Sequence, residues 1–151
     1  MRLTKMLAVV LVMSLSLFAA ESPFSGTWKL NLAKSKTTPP VPKSDVAVVE
    51  ADGNGLKLTE DVITDKGESL KISWEAKFDG KDYPVTGDPS SDSVSYQRVN
   101  ANTLKGKAKK AGKVVTDATI VVSKDGKITT VNYTDYSQAK PSKGTAVYDK
   151  Q

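Results

Sequence analysis

The chain has 151 residues, among them no histidine and no cysteine. This composition excludes disulfide bonds, a thiol nucleophile and His or Cys zinc ligands, and it removes the commonest general base. The formal net charge is +5, but lysines alternate with acidic residues along most of the length, whereas nucleic-acid-binding proteins cluster their basic side chains. We therefore expect no catalytic residues, no metal, no cofactor and no nucleic-acid partner.

The N-terminal segment predicts a secretory signal peptide over residues 1–20. It has basic residues at positions 2 and 5, an apolar run over residues 6–18, and then Ala19-Ala20. A run of 13 residues is shorter than the roughly 20 that a transmembrane helix needs, and no second run follows, so no integral membrane span is expected. Cleavage leaves residues 21–151 with 20 basic and 17 acidic residues, a net charge of +3. Without a cysteine for lipid attachment, this single domain is expected to be secreted or periplasmic.

Residues 26–150 consist of short runs of alternating apolar and polar side chains, separated by turn signals such as Asp79-Gly80 and Asp125-Gly126. Asp-Gly pairs supply the positive φ angles of tight hairpin turns, so strands that follow each other in the chain should pair antiparallel. No stretch longer than a turn has a helical period. The predicted strands cover residues 26–32, 45–51, 56–64, 69–78, 82–86, 93–99, 103–110, 114–123, 127–136 and 143–150.

Two segments interrupt this pattern. Lys34–Ser44 contains prolines at positions 39, 40 and 42, which exclude both a helix and a central strand. We expect this segment to cross the outside of the fold or to cap an opening. Thr86–Asp92 contains Pro89 and two serines, and it predicts a gap or a corner in the strand order.

The alternation predicts one buried face and one solvated face for each strand. Every second residue from Leu70 to Phe78 is apolar, and polar side chains lie between them. About ten such strands form either a sandwich or a closed barrel, and closure removes the free edges that a long meander exposes. We therefore predict an all-β fold, a single antiparallel up-and-down barrel of about 8 to 10 strands. A second strand shows the same pattern, with an apolar set of Val114, Ala118, Ile120 and Val122.

The first and last predicted strands carry a family resemblance. Phe24-Ser25-Gly26-Thr27-Trp28 opens the domain and Gly144-Thr145-Ala146-Val147-Tyr148-Asp149-Lys150 closes it. This combination resembles the lipocalin and fatty-acid-binding-protein (calycin) superfamily, and the stretch Phe78–Gly87 resembles small bacterial exported lipocalin-like proteins. The resemblance implies a barrel in which Trp28 plugs the closed end, Gly26 lets the chain pass closely, and the first and last strands are neighbours.

The same resemblance implies a small apolar or amphipathic ligand inside the barrel. Fatty-acid-binding relatives hold a ligand carboxylate with an inward Arg-x-Tyr pair, but here Ala146 occupies the arginine position and only Tyr148 is present. Arg98 is the candidate replacement, because it falls in register with Val94 and Tyr96. Two alternatives remain open for Arg98: an inward guanidinium beside a carboxylate, an anion or water, or a strand-end position that reaches solvent.

Tyr133 and Tyr136 fall on opposite faces of their strand, and we expect Tyr133 to point inwards with Val131. Aromatic and branched apolar residues on the inward faces of other strands complete the predicted lining. The predicted ligand-binding residues are Trp74, Phe78, Arg98, Ile120, Tyr133 and Tyr148.

Five lysines lie on one predicted hairpin, Lys105–Lys113. They could make a weak contact with an anionic surface, or they could be solvated residues that protect the hairpin from edge pairing. Two functional alternatives to a carrier also remain open: a solid-cored structural or interaction barrel without a ligand, and, less favoured because histidine is absent, an enzyme. No feature predicts an oligomer, and we expect a monomer.

Overall fold

The computed structural model describes residues 21–151, so the predicted signal peptide lies outside the described residues. This part of the chain forms ten strands, each within two residues of its predicted ends. The strands are β1 (Gly26–Leu30), β2 (Ser44–Ala51), β3 (Gly55–Ile63), β4 (Ser69–Lys77), β5 (Tyr83–Thr86), β6 (Ser93–Asn100), β7 (Thr103–Lys110), β8 (Lys113–Val122), β9 (Ile128–Asp135) and β10 (Ser142–Lys150).

The strands close into one barrel. Each strand pairs antiparallel with the next strand in the chain, and β1 closes the ring by pairing with β10 as well as β2. Trp28 on β1 lies opposite Lys150 on one side and Ala47 on the other. The predicted fold class, an all-β up-and-down barrel with adjacent first and last strands, is confirmed.

The period of two in the sequence decides which side chains face inwards. On β4, Ile72 and Ala76 are 7% and 2% exposed, whereas the intervening Lys71 and Glu75 are exposed. The registers of β3 and β4 place Leu58 opposite Trp74, so the inward sets of the two strands lie side by side. The buried core of the barrel consists of such inward residues from nearly every strand.

Gly26 and Trp28 form a tightly packed start to the barrel. Gly26 has a φ of +135°, a backbone conformation that a larger residue rarely adopts, and a Cβ atom there would lie 2.6 Å from Lys150 Cε, so the Lys150 side chain would have to shift. Trp28 is 4% exposed, and its Nε1 donates a hydrogen bond of 2.9 Å to the Phe24 carbonyl oxygen. The indole is therefore a fully satisfied core group at this end of β1.

β5 has the fewest paired residues of the ten strands in the barrel wall. This strand pairs with β4 at Ser73 and Trp74 only, and with β6 at Ser93 and Val94 only. Gly87 follows β5 at a φ of +86°, and its α-carbon packs so closely against the Lys71 carbonyl that a Cβ atom has no room. The predicted break at Thr86–Asp92 is thus a sharp corner next to a short strand.

A β-bulge in β8 changes the direction of one side chain that the sequence pattern predicts to point inwards. Ala108 pairs with Thr116 but Lys109 pairs with Val114, so β8 carries an extra residue at this point. The bulge reverses the alternation beyond it, and Val114 is 37% exposed instead of lying with the inward set of β8. The inward assignment of Val114 from simple parity is wrong.

The proline-containing segment after β1 runs beside β10. Lys36 and Thr145 exchange backbone hydrogen bonds of 2.7 and 2.8 Å. Farther along, the Thr38 amide donates a 3.3 Å hydrogen bond to the Tyr133 hydroxyl. The segment therefore extends the barrel wall on the β1 side of β10 and reaches an inward side chain of β9.

Candidate functional site

A cavity of about 280 Å³, partly open to solvent, lies inside the barrel. Its volume is nearly twice the roughly 150 Å³ that accommodates benzene in an engineered protein core, and it is close to the lower limit of about 300 Å³ for natural ligand pockets. The wall is mainly apolar and comes from nine strands, every one except β5, together with Phe24 just before β1 and the loop after β5. Its apolar members include Phe24, Trp28, Val49, Leu58, Trp74, Val94, Leu104, Ala118, Ile120 and Val131.

Small inward residues create this space. Ala118 on β8 lies opposite Gly106 on β7, and both line the cavity. The ring of Tyr96 packs over Gly106, where a Cβ atom would lie 3.0 Å from Tyr96 Cε1. Larger residues at these positions would fill the interior, so the hollow is a consequence of the alanine and glycine content of the inward faces.

Carboxyl groups from two neighbouring strands lie at one side of the cavity. Glu60 on β3 contributes to the cavity wall, and its carboxyl group is close enough to the Asp45 carboxyl group on β2 for the Asp45 charge to raise the pKa of Glu60. Asp45 is 7% exposed, and its Oδ2 accepts a 2.8 Å hydrogen bond from the hydroxyl of Tyr148, which also lines the cavity. The interior of the barrel therefore holds a connected set of an acidic pair and a phenol.

Burial changes the protonation of this set. It raises the pKa of Glu60 well above its ordinary value of 4.5, and the nearby Asp45 charge raises it further. Burial also raises the pKa of Asp45, although hydrogen bonds with Glu60 and Tyr148 partly offset that increase. The pKa of Tyr148 is raised by burial and by the two acidic neighbours. Two carboxyl groups this close oppose each other's ionisation, and Glu60, whose pKa is raised more strongly, is the member of the pair that keeps its proton to the higher pH.

Several buried polar atoms beside the cavity have no hydrogen-bond partner. These atoms are Asp45 Oδ1, Trp74 Nε1 and Thr129 Oγ1. Trp74 and Thr129 belong to the cavity wall, and the Tyr96 hydroxyl is close to the Trp74 indole without forming a well-aligned hydrogen bond. Burial also raises the pKa of Tyr96, so its hydroxyl stays protonated and remains a donor. Unpaired buried polar groups are uncommon in proteins, so these atoms are the ones beside the cavity that are available to the polar group of a bound molecule.

The loop after β5 completes the polar side of the cavity. Asp88 and Ser91 belong to the wall, and Ser91 is 5% exposed. The oxygens of Asp88 are already occupied, because Oδ1 accepts hydrogen bonds from the Ser90 amide and hydroxyl and Oδ2 accepts one from the Ser91 hydroxyl. Asp88 therefore structures the loop and adds negative potential near Glu60, whose pKa it also raises.

The structure brings three of the six predicted ligand-binding residues to the cavity: Trp74, Ile120 and Tyr148. Phe78 packs against the core from the end of β4 but does not line the cavity. Tyr133 lies over Gly144 on the adjacent strand, close enough that a Cβ atom on Gly144 would overlap its ring. Its hydroxyl is next to Thr38, so Tyr133 lies beside the cavity rather than on its wall.

Arg98 does not point into the barrel. It lies at the exposed end of β6, where the register shifts between Arg98 and Asn100. Its guanidinium donates a 3.1 Å hydrogen bond to the Gly53 carbonyl oxygen and lies 5.7 Å from the centre of the Phe78 ring. The strand ends before the guanidinium could be enclosed, and solvent and the Gly53 carbonyl satisfy its charge at lower cost than burial would.

Asp45 and Glu60 are the site residues that the sequence prediction missed. Glu60 falls in register with Leu56 and Leu58 on the inward face of β3, and Asp45 falls in register with Ala47 and Val49 on β2. An acidic residue within an apolar alternation was therefore the available signal. A charged residue within an apolar alternation also made Arg98 a candidate. Arg98 lies at the end of its strand, however, and its side chain reaches solvent instead of the cavity.

The predicted lysine hairpin, Lys105–Lys113, comprises most of β7, the turn after it and the first residue of β8. Lys109 forms a 2.8 Å ion pair with Asp82. Two other members, Lys105 and Lys107, border an open depression of about 880 Å³ on the outer surface of β6 to β10, together with Lys36 and Lys143. This depression is wide and mostly polar, and its lysines are accompanied by the acidic Asp117.

Within residues 21–151, no group of His, Cys, Asp and Glu side chains is arranged to hold a metal ion. The same residues contain no helix long and apolar enough to cross a membrane. The chain matches no protein-family model, no curated protein and no solved structure.

Proposed function

We propose that this protein is a non-catalytic carrier that holds one small apolar or amphipathic molecule inside its barrel. The single observation that supports the proposal most directly is the cavity of about 280 Å³ with a mainly apolar wall. The signal-peptide-like sequence of residues 1–20 further supports a site of action in the periplasm or outside the cell. The likeness of the Gly26–Trp28 and Tyr148 strands to lipocalins supports the same role.

The energetics favour an occupied cavity. An apolar wall that protein atoms do not cover stays in contact with water and lacks the dispersion contacts of a packed core, and both effects are unfavourable. A guest that fills the space restores the missing contacts with Trp74, Ile120 and their neighbours, and we infer that the barrel is built to receive one.

Filling the cavity with a side chain tests the proposal. Ala118→Leu places a larger side chain in the cavity, and we expect it to abolish binding of 4-phenylbutanol and indole, two neutral probes, while the barrel remains folded. Thr119→Leu on the outward face of the same strand is the matched control, because Thr119 pairs with the outward Lys105 and Asn132. Binding is measured by calorimetry and by the change in Trp74 fluorescence.

The outcome distinguishes a carrier from a solid-cored barrel. Saturable binding to the wild type and to Thr119→Leu, but not to Ala118→Leu, supports the carrier. A wild-type protein that binds neither probe, and that releases no small molecule when its intact mass is compared before and after denaturation, would favour the structural role. Turnover of a bound probe would instead indicate an enzyme.

A further inference from the structure

The polar side of the cavity is acidic and has no basic residue to neutralise it. Among the described residues, Asp45 is the only charged residue that is almost completely buried, at 7% exposed. None of the ion pairs formed by these residues includes Asp45, Glu60 or Asp88. The charged members of the cavity wall are Glu60, Asp88 and Lys107. Lys107 is exposed and pairs with the outward Ser95 and Asp117, so its charge belongs to the outer surface.

A buried acidic pair needs donors that this chain supplies only in part. Tyr148 donates a hydrogen bond to Asp45 Oδ2, but Asp45 Oδ1 has no hydrogen-bond partner. Protonation of Glu60, whose pKa is raised, is the chain's own way to reduce the negative charge of the pair. When Glu60 is protonated, the pair carries less negative charge, but a carboxyl group that is ionised at neutral pH in an ordinary environment is kept neutral. A cation in the cavity would remove this need, because its charge stabilises both carboxylates.

We propose that the polar end of the bound molecule is a protonated amine that donates hydrogen bonds to Glu60, with its hydrocarbon part against the apolar wall. This inference rests on the proposed function and specifies the class of ligand. The Trp74 ring on the same wall adds a face to which a cation is attracted. An anionic ligand such as a fatty acid would instead face Glu60 and Asp88 without a buried base.

The proton balance of binding follows from this arrangement. Because its pKa is raised, Glu60 in the free protein keeps a proton to a higher pH than an ordinary Glu does, and the amine arrives already protonated. Binding ionises Glu60, and its proton leaves to the solvent. The groups that face Glu60 are Asp45, Tyr148, Tyr96 and Asp88; the two phenols remain protonated, so the carboxyl groups account for the release. Amine affinity should therefore increase as the pH rises above 4.5, where an ordinary Glu is already ionised.

The cavity limits the size of the ligand. If about 150 Å³ accommodates the six carbons of benzene, about 280 Å³ accommodates roughly eleven non-hydrogen atoms. A phenyl ring on a four-carbon chain that ends in one polar group has this size. The amine, alcohol and carboxylate of that skeleton differ mainly in the charge of their polar end, so they form a matched series of probes.

The test is calorimetric titration of the wild-type protein at pH 7 with 4-phenylbutylamine, 4-phenylbutanol and 4-phenylbutanoate. One charge-assisted hydrogen bond is worth about 1.5 to 3 kcal/mol, so we expect the amine to bind about 10- to 100-fold more tightly than the carboxylate. Glu60→Gln keeps the shape of the side chain and should reduce amine affinity by a similar factor, with little change for the alcohol. Glu75→Gln removes an exposed carboxylate from neighbouring β4 and should alter none of the affinities.

A second readout needs no variant. Titration of the wild type with the amine in two buffers of different ionisation enthalpy should show release of a proton, whereas the alcohol should release none. If the alcohol or carboxylate binds as tightly as the amine, or if Glu60→Gln leaves amine affinity unchanged and no proton is released, the amine inference is overturned and the carrier proposal stands. If no member of the series binds and the intact protein releases no small molecule on denaturation, the carrier proposal is overturned with it.

Discussion

The two tryptophans of this chain occupy contrasting positions in one barrel. Trp28 is 4% exposed, and its indole N–H donates to the Phe24 carbonyl oxygen at 2.9 Å. Trp74 lies on the cavity wall, is only partly buried, and its N–H has no hydrogen-bond partner. Buried polar groups in proteins are normally satisfied, so the difference separates a residue that completes the fold from one that is available to a guest.

The surroundings of the two indoles differ in the same way. Near Trp28, Ser25 Oγ donates to the Ala51 carbonyl and accepts from the Ala51 amide, at 3.1 and 3.0 Å. On the cavity side, the Asp45 charge raises the pKa of Glu60, and Asp45 Oδ1 has no hydrogen-bond partner. The polar groups near Trp28 are paired within the protein and stabilise the fold. Those on the cavity side are incompletely paired and are available to a ligand. The following four predictions test this contrast.

The largest expected effect is at Trp28. Trp28→Ala should lower the free energy of unfolding by about 3 to 5 kcal/mol, because it removes a fully packed indole. Trp74→Ala should cost clearly less, because one face of its ring already borders empty space. Urea unfolding followed by far-UV circular dichroism measures both. Equal losses would show that the two indoles are packed alike.

Tyr148→Phe should destabilise the barrel by about 1 to 3 kcal/mol, because it removes the protein donor to a buried carboxyl group. Tyr136→Phe is the matched control, since its hydroxyl donates a 2.8 Å hydrogen bond to Asp117 on the surface. We expect the control to change stability by no more than about 0.5 kcal/mol. Equal urea midpoints for Tyr148→Phe and Tyr136→Phe would contradict the prediction that the buried hydrogen bond is the more stabilising one.

Glu60→Gln should stabilise the ligand-free protein at pH 7 by about 1 kcal/mol, because the amide donates to Asp45 without a trapped proton. The pKa of Glu60 is higher in the folded than in the unfolded state, so the native protein binds more protons above pH 4.5. The stability that Glu60 contributes is present below pH 4.5 and is lost as the pH rises through its folded pKa. The gap between variant and wild type should therefore narrow towards pH 4.5, as checked by thermal unfolding at a series of pH values.

The smallest effect is expected at Arg98. Arg98→Ala should change stability by no more than about 0.5 kcal/mol and should leave the affinity for every probe unchanged, because the guanidinium lies outside the barrel. Calorimetric titration of the variant with 4-phenylbutanoate and 4-phenylbutylamine is the measurement. A selective loss of carboxylate binding would contradict the exterior position of Arg98.

The sequence by itself determined the strands, their order and most of their inward faces. Alternation at period two and Asp-Gly turns act locally, so each strand from Gly26 to Lys150 could be located from its own residues. The same alternation correctly placed Trp74, Ile120 and Tyr148 on the inward faces. Local rules were sufficient there because a side chain inside a regular strand has only two directions available.

The tertiary structure alone decided which inward side chains meet. The bulge before Thr116 turned Val114 outwards, and the end of β6 released Arg98 to solvent, although both residues have the correct parity. Tyr148 and Asp45 are 103 residues apart in sequence, and they meet because barrel closure places β1 between their strands. Parity specifies a direction, but the contact of two distant side chains depends on closure and stagger, which are properties of the whole sheet.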